Sequence, residues 1–449
     1  MRIKLEYGKN GLWIDVPDRN LLAVLDRDDR PAPADQAGLV ERALREPIGS
    51  PEPCRDAPAE RLRRATGTPL HEAARGSRRA CVVICDITRP VRNDILLPPI
   101  VRELERAGVS EIRILIGNGL HREMTPGEIE RSVGREIAAS YPVHNHLARD
   151  PQANVRVGTT SRGTPVHLDR IFVESDFRVI TGLVEPHMYA GFSGGRKLIA
   201  IGVAGVETIR VIHSPLFLED ASVRAGNLTD NIFHREACEI ARMAPAQFAV
   251  NVTINRQREF TAAWAGDVFA SHQAAADATR AECTRFVPER PDIVITTNAG
   301  YPADLNLYQA GKGMQAGADI VKPGGTVIFA AEFCEGLGGD EFAQLMMQAE
   351  SPEWIMRRLT QPGFFMIDQW GAESLIKAMR TAEIMVYTTG LPPETIRKCF
   401  LSPIASVEGG IRTALQKHGP GATIAVIPKG PYVIGAIKGD NEHGQESLP

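Results

Sequence analysis

Four short segments put side chains capable of acid–base or anion-binding chemistry at the ends of apolar runs. Asp86-Ile87-Thr88-Arg89-Pro90 follows the run Arg79–Cys85, and Gly119-Leu120-His121-Arg122 follows Glu111–Ile116. Glu185-Pro186-His187 follows Phe177–Leu183, and Asn298-Ala299-Gly300-Tyr301-Pro302 follows Asp292–Thr297. Ligands in open α/β sheets lie beyond the carboxyl ends of the strands, so these are the places where a site is expected. Asp86 and Arg89 alone would make a local ion pair, and a lone strand-end histidine is more often structural. Four polar strand ends together carry more weight. His121 and His187 can exchange protons near neutrality. Arg89 offers a planar fork for a carboxylate, and Lys312 a point charge.

Lysine usage singles out two further positions. The chain has 41 Arg and only 10 Lys, with none between Lys9 and Lys197 and none between Lys197 and Lys312. Only lysine of the two can become a neutral nucleophilic amine, although ten lysines must lie somewhere. Lys197 ends Gly191-Phe192-Ser193-Gly194-Gly195-Arg196-Lys197, a glycine-rich turn ahead of an apolar segment. Such a turn suits phosphate binding by backbone N–H groups, but it lacks the G-x-x-x-x-G-K-[ST] pattern of a P-loop. His144 and His146 would share a face on a strand and form half a metal site; a polar surface loop is the expected reading. His187, Lys197 and His213 are too far apart in sequence for a short-range zinc motif. Arg162, Arg196 and Arg210 are read as solvated surface residues.

The elements that must position these residues follow from periodicity. Residues 1–18 read as a β-hairpin, and residues 28–78 as loops with a short helix near Gln36–Arg45. Arg79–Cys85, Glu111–Ile116 and Phe177–Leu183 read as buried strands. A helix over Asp94–Gly108 and a capped helix opening at Thr125-Pro126-Gly127-Glu128 alternate with them. Residues 262–290 read as helical and then polar. Further on, strands at Asp292–Thr297, Thr326–Ala331, Glu383–Thr388 and Thr423–Ile427 alternate with helices at Gln309–Val321, Asp340–Ala349, 351–360, 373–382 and Val407–His418. This alternation predicts two α/β domains with mostly parallel sheets and an active-site cleft between them. The first spans residues 1–285 and carries His121, His187, Lys197 and His213. The second spans 286–437, and a polar tail covers 438–449.

Composition narrows the function classes. At 449 residues the chain is too long for one ordinary domain. The charge sum, 51 − 55 = −4, gives no basic excess for nucleic acid or an anionic membrane. No apolar run is long enough to span a bilayer, and the first residues lack the apolar core of a signal peptide. The seven cysteines are odd in number and scattered, which is expected of reduced thiols in a cytoplasmic enzyme.

The quoted segments, in this order and spacing, resemble the nickel-pincer lactate racemase family from about residue 79 to about residue 430. His213 and the stretch Ala299–Gly313, with Tyr308, Gln309 and Lys312, complete the resemblance. It implies a pyridinium-3,5-bisthiocarboxylic acid mononucleotide holding nickel in an S–C–S pincer, with one arm bound as a thioamide to Lys197. It implies His213 as the nickel ligand, His121 and His187 as acid and base, and Asp86, Ile87, Thr88 and Arg89 as the cofactor- and substrate-contacting loop. Gln309, Lys312 and Tyr308 are implied as substrate contacts and Trp370 as an aromatic wall. The cofactor would come from other, cofactor-making enzymes.

The residue chemistry agrees with that implication. A proton at C2 beside a carboxylate is very weakly acidic. Inversion is easier if a base takes the hydroxyl proton while hydride leaves to a cofactor, because the planar 2-keto acid can then be reduced from either face. Two bases serve the two enantiomers. The expected activity is a racemase or epimerase of a lactate-like 2-hydroxy acid. Malate, an aromatic 2-hydroxy acid or a sugar acid are alternatives with the same chemistry. A zinc hydrolase using His144, His146 and His213, or a non-catalytic two-domain binding protein, are the more distant ones.

Overall fold

The computed structural model describes residues 1–49 and 67–439. Cys54 and residues 440–449 of the expected tail lie outside the described residues. The chain divides into two units: residues 29–185 with 189–279 form one, and residues 1–28, 186–188 and 280–449 form the other. Both are α/β.

The first unit is built on a six-stranded sheet ordered Phe260–Gly266, Phe248–Ile254, Phe177–Leu183, Arg79–Cys85, Glu111–Gly117, Val143–Asn145. All neighbours pair parallel except the edge strand Phe260–Gly266, which is antiparallel to Phe248–Ile254. Cys81, Val82, Val83 and Ile84 are all buried, as expected of a central parallel strand covered on both faces. From Arg79–Cys85 the chain winds one way to Glu111–Gly117 and Val143–Asn145, then returns to place Phe177–Leu183 on the other side. The order therefore reverses between Arg79–Cys85 and Phe177–Leu183, and a crevice opens at such a point beyond the strand ends. Asp86–Arg89 and Glu185 stand there. The helix Pro126–Val133 opens with the expected capping box between Thr125 and Glu128.

The other unit carries a wholly parallel six-stranded sheet, ordered Ser402–Pro403, Glu383–Tyr387, Thr326–Ala330, Ile293–Thr297, Ile424–Ile427, Leu21–Val24. Its central strands bury alternate side chains on opposite faces. Ile293, Ile295 and Ile328 pack with Val407 and Ile411 and with Ile3, Leu5 and Ile14 of the N-terminal hairpin. Val294, Val327 and Phe329 pack with Met314, Leu375 and Ile376. The order reverses between Ile293–Thr297 and Ile424–Ile427, so this sheet's crevice lies beyond Asn298 and Lys429.

Two sequence readings change. Residues 1–28 group with the C-terminal unit, because Leu21–Val24 adds a parallel edge strand beside Ile424–Ile427 and the hairpin covers that sheet's face. A four-residue strand whose partner lies some 400 residues away leaves no local signal. Residues 262–266, read as the start of a helix, belong to the antiparallel strand Phe260–Gly266, with Trp264 opposite Asn251 and Ala262 opposite Thr253. Alanine is a strong helix former, but helix propensity is a small local preference and strand pairing overrides it. The helix proper runs from Val268 to Cys283.

Candidate active site

At the crevice of the first unit, Asp86 is buried and accepts two hydrogen bonds at Oδ1, from the Thr88 hydroxyl at 2.6 Å and the Thr88 N–H at 3.2 Å. Its Oδ2 lies 2.7 Å from His121 Nδ1. Burial pushes the Asp86 carboxyl up. The charge and hydrogen bond of His121, the Thr88 hydroxyl and Arg89 outweigh it, and the carboxyl titrates below its ordinary value. An ionised carboxylate can only accept, so Nδ1 of His121 carries a proton towards it, and Nε2 is the ring nitrogen left to exchange a proton with a ligand. The His121 side chain is 40% exposed, as a base that must meet a ligand requires. Arg89 places Nε 3.3 Å from Glu185 Oε1, which joins the ends of the two strands flanking the crevice. Arg122, next to His121, is committed elsewhere, forking onto Glu128 at 2.7 and 2.8 Å.

His213 follows the helix Val206–Ile212 and donates its N–H to the Ile209 carbonyl at 2.9 Å. Its ring is buried, edge-on to Phe233 at 5.3 Å between centroids and to Tyr189 at 6.2 Å. Burial, and then the positive charges of Lys197 and His121, push its pKa down to about 3. His213 is therefore neutral near pH 7, the form that ligates metals. The same interactions place Lys197 and His121 within electrostatic reach of it. Four residues singled out from the sequence thus share one neighbourhood: Asp86, His121, Lys197 and His213.

Lys197 donates its N–H to Gly194 O at 3.2 Å and leads into a single π-helical turn, Leu198–Gly202. The glycine-rich turn before it is not the phosphate cradle its composition suggests. Its N–H groups are largely spent on protein acceptors: Phe192 on Ala190 O, Ser193 on Glu185 O, and Gly195 on Asn251 Oδ1. Gly195 has φ +52°, and a Cβ there would come within 2.8 Å of the His272 ring. Arg196, read as a surface residue, is instead 1% exposed and bonded to this turn through both terminal nitrogens, while its buried Nε has no hydrogen-bond partner among the described residues. Three of its partners are backbone carbonyls, which leave no mark in the sequence. Arg162 and Arg210 do lie at the surface, near Glu236 and Glu207.

His234, close to Arg196, is pushed down to about 3 by burial and by the charges of Arg196, Arg242 and Arg235. A base with a depressed folded pKa weakens the fold once the unfolded chain takes up the proton. Stability is therefore full above about pH 6.5 and falls as the pH drops towards 3, by roughly 1.4 kcal/mol per pH unit for one such group. His234→Gln should flatten the pH dependence of the urea unfolding free energy by about that slope between pH 6.5 and 4. An unchanged slope would refute the burial argument.

The other unit holds the remaining candidates. The segment Pro186–His187 packs against the turn Gly430–Tyr432, which follows Ile424–Ile427 at the reversal of strand order. His187 is buried there. Asn306 caps the helix Leu307–Ala318 by accepting from Gln309 N–H at 3.2 Å. One turn on, Lys312 Nζ donates to Gln309 Oε1 at 2.8 Å, which fixes both side chains on one face. Trp370 Nε1 donates to Tyr308 Oη at 2.7 Å, and Tyr308 meets Phe342 edge-on. Trp370 therefore braces Tyr308.

The zinc-hydrolase alternative does not hold. His146 is buried, with Nδ1 2.7 Å from Asp169 Oδ2 and Nε2 2.9 Å from Ala204 O, so neither ring nitrogen is available to a metal. His144 and His146 do not lie on a surface loop: His144 is within the edge strand Val143–Asn145, and His146 follows it into the core. Among the described residues no three His, Cys, Asp or Glu side chains form a group that could hold a metal. No helix among them is long and apolar enough to cross a membrane.

The chain is similar to known proteins over most of its length. Residues 7–226 match the lactate racemase N-terminal domain and residues 287–435 the lactate racemase C-terminal domain. The chain is 31% identical over 437 residues to a lactate racemase of Thermoanaerobacterium thermosaccharolyticum, covering 96% of this chain and 98% of that one. It is 30% identical to a lactate racemase of Lactiplantibacillus plantarum, over 96% of this chain and 99% of that one. The structure of the T. thermosaccharolyticum lactate racemase apoprotein superposes with a TM-score of 0.89 at 30% identity, covering 97% of this chain and all of that one. Two domain matches in the right order, near-complete coverage and the shared fold lead to one conclusion: the chain belongs to the lactate racemase family and is an isomerase of the racemase type.

Proposed function

We propose that the protein inverts C2 of a 2-hydroxy acid of the lactate type, using a nickel-pincer pyridinium mononucleotide tethered to Lys197. The observation that carries this reading is the grouping of a carboxylate-oriented base, His121, with a neutral buried imidazole, His213, and Lys197. Family membership sets aside the binding-protein alternative.

The residues fit such a cofactor. A closed protein-only metal set is not found among the described residues, so the metal's other donors would arrive with the nucleotide, and one neutral nitrogen, His213, would complete them. When bound, the cofactor supplies the acceptor and donor of hydride. The chain's own residues do the rest. Asp86 orients His121 so that Nε2 takes or returns the hydroxyl proton of one enantiomer, and His187 does so for the other. Ile87 and Thr88 contact the cofactor beside Asp86. Arg89, held by Glu185, and Lys312, held by Gln309, bind the carboxylate, and Tyr308 braced by Trp370 lines the site. The nucleotide comes from dedicated cofactor-making enzymes. The six described cysteines are free thiols, which supports a reducing, cytoplasmic setting.

The test is the intact mass and nickel content of protein co-expressed with cofactor-making enzymes, followed by a screen of enantiopure 2-hydroxy acids. Loss of optical activity from lactate, with one adduct and one nickel per chain, is expected. Loaded protein that inverts none of the acids would defeat the reading. His213→Ala should strip most of the nickel, while His121→Ala and His187→Ala keep it. Equal loss in all three would overturn the division of roles.

A further inference from the structure

We infer that Arg196, together with His272, is a positioning residue that sets where Lys197 stands; the inference rests on the reading of Lys197 as the tether. A guanidinium is costly to bury unless its hydrogens are satisfied. Arg196 Nη1 donates to Phe192 O at 3.1 Å and to Gly194 O at 3.3 Å, and Nη2 donates to Ala190 O at 2.6 Å. These acceptors all belong to the segment that ends in Lys197. His272, on the helix Val268–Cys283, places Nε2 2.7 Å from Nη1. Burial, and then the Arg196 charge, hold the His272 ring neutral. Nε2 also lies 2.9 Å from the Ser193 carbonyl, so it either accepts from the guanidinium or donates to that carbonyl, and in both tautomers it ties its helix to the turn. The same ring fills the space where a side chain at residue 195 would stand.

Other contacts lock the turn from the strands. Ser193 Oγ donates to Leu183 O at 2.6 Å and accepts from Glu185 N–H at 3.0 Å. Asn251 receives Gly195 N–H at 3.1 Å and itself donates to Ser271 Oγ at 3.1 Å. The carbonyls of residues 190, 192 and 194 are spread along a chain of positive-φ glycines that would otherwise sample many conformations. A planar fork can span them, whereas the single nitrogen of a lysine cannot. The clamp therefore removes the backbone freedom of the residue before the tether. Through Ser193 it also fixes the strand end whose Glu185 holds Arg89.

The test uses the full-length apoprotein and three variants: Arg196→Lys, His272→Leu and His272→Gln, the last of which keeps a side chain able to accept from Arg196 or donate to Ser193 O. Hydrogen exchange of residues 190–197 should quicken by at least about tenfold in Arg196→Lys and His272→Leu, with the strands Phe177–Leu183 and Phe248–Ile254 still protected. The rate at which the Lys197 adduct mass appears on incubation with cofactor should fall by about 10²-fold, the usual cost of a misplacement near 1 Å. His272→Gln should recover both. Wild-type exchange and adduct rates in Arg196→Lys and His272→Leu would overturn the inference. So would loss of protection spread over the whole sheet, or a His272→Gln variant that behaves like His272→Leu. If wild-type protein itself takes no adduct at Lys197, the tether reading fails, and the exchange of residues 190–197 alone decides the clamp.

Discussion

Replacing Lys197 with arginine is expected to abolish covalent attachment of the cofactor and reduce racemisation to background. Arginine keeps the positive charge and much of the length. Its delocalised, permanently protonated guanidinium cannot act as the neutral amine that forms a thioamide. The backbone of the turn should be indifferent to the change, because the residue's N–H still reaches Gly194 O and its neighbours are held by Arg196, Ser193 and Asn251. Loss of the adduct should therefore come without a drop in melting temperature. Intact-mass measurement after co-expression with cofactor-making enzymes reads the result directly. An arginine variant that still carries the adduct would move the tether to another residue.

The sequence is most informative where chemistry and periodicity coincide. Arg79–Cys85 is an apolar run that ends at Asp86, Phe177–Leu183 is a largely apolar run separated from Glu185 by Val184 alone, and both strands appear at those limits. Asp86 and His121 stand at neighbouring strand ends, 35 positions apart, and meet at 2.7 Å. What the sequence conceals is satisfied by the backbone. Arg196 resembles any other arginine in an arginine-rich chain until the carbonyls of Ala190, Phe192 and Gly194 surround it. His146 looked like half a metal site because Asp169 and Ala204, which occupy its ring, lie 23 and 58 positions away. Leu21–Val24 has only its partner Ile424–Ile427 to define it. In each case the deciding contact is long-range, and the local pattern carries only the residue type.

Single substitutions of His121 and His187 should each abolish racemisation, yet leave opposite halves of the reaction standing. A full inversion removes the hydroxyl proton of one enantiomer and returns a proton to form the other, so it needs both bases if each serves one hand. The two come from different strand ends, 66 positions apart in sequence, and from different units of the chain. His121 has its Nε2 freed for the task by the Asp86 carboxylate, and His187 is fixed by its segment against Gly430–Tyr432. Losing general-base help costs about 10²–10⁴ in rate, large enough to separate the two directions. Loaded variants mixed with excess R- or S-acid, quenched and assayed for 2-keto acid, should show complementary behaviour. One forms keto acid from only the R-acid and the other from only the S-acid, each up to one equivalent per loaded chain. His121→Gln should behave like His121→Ala, because glutamine has no basic nitrogen to carry the proton even where it retains a hydrogen bond to Asp86. If both variants oxidise both enantiomers at wild-type rates, neither histidine is a base in this enzyme. If both lose both directions equally, the two act as one unit, and the assignment of one histidine to each hand is wrong.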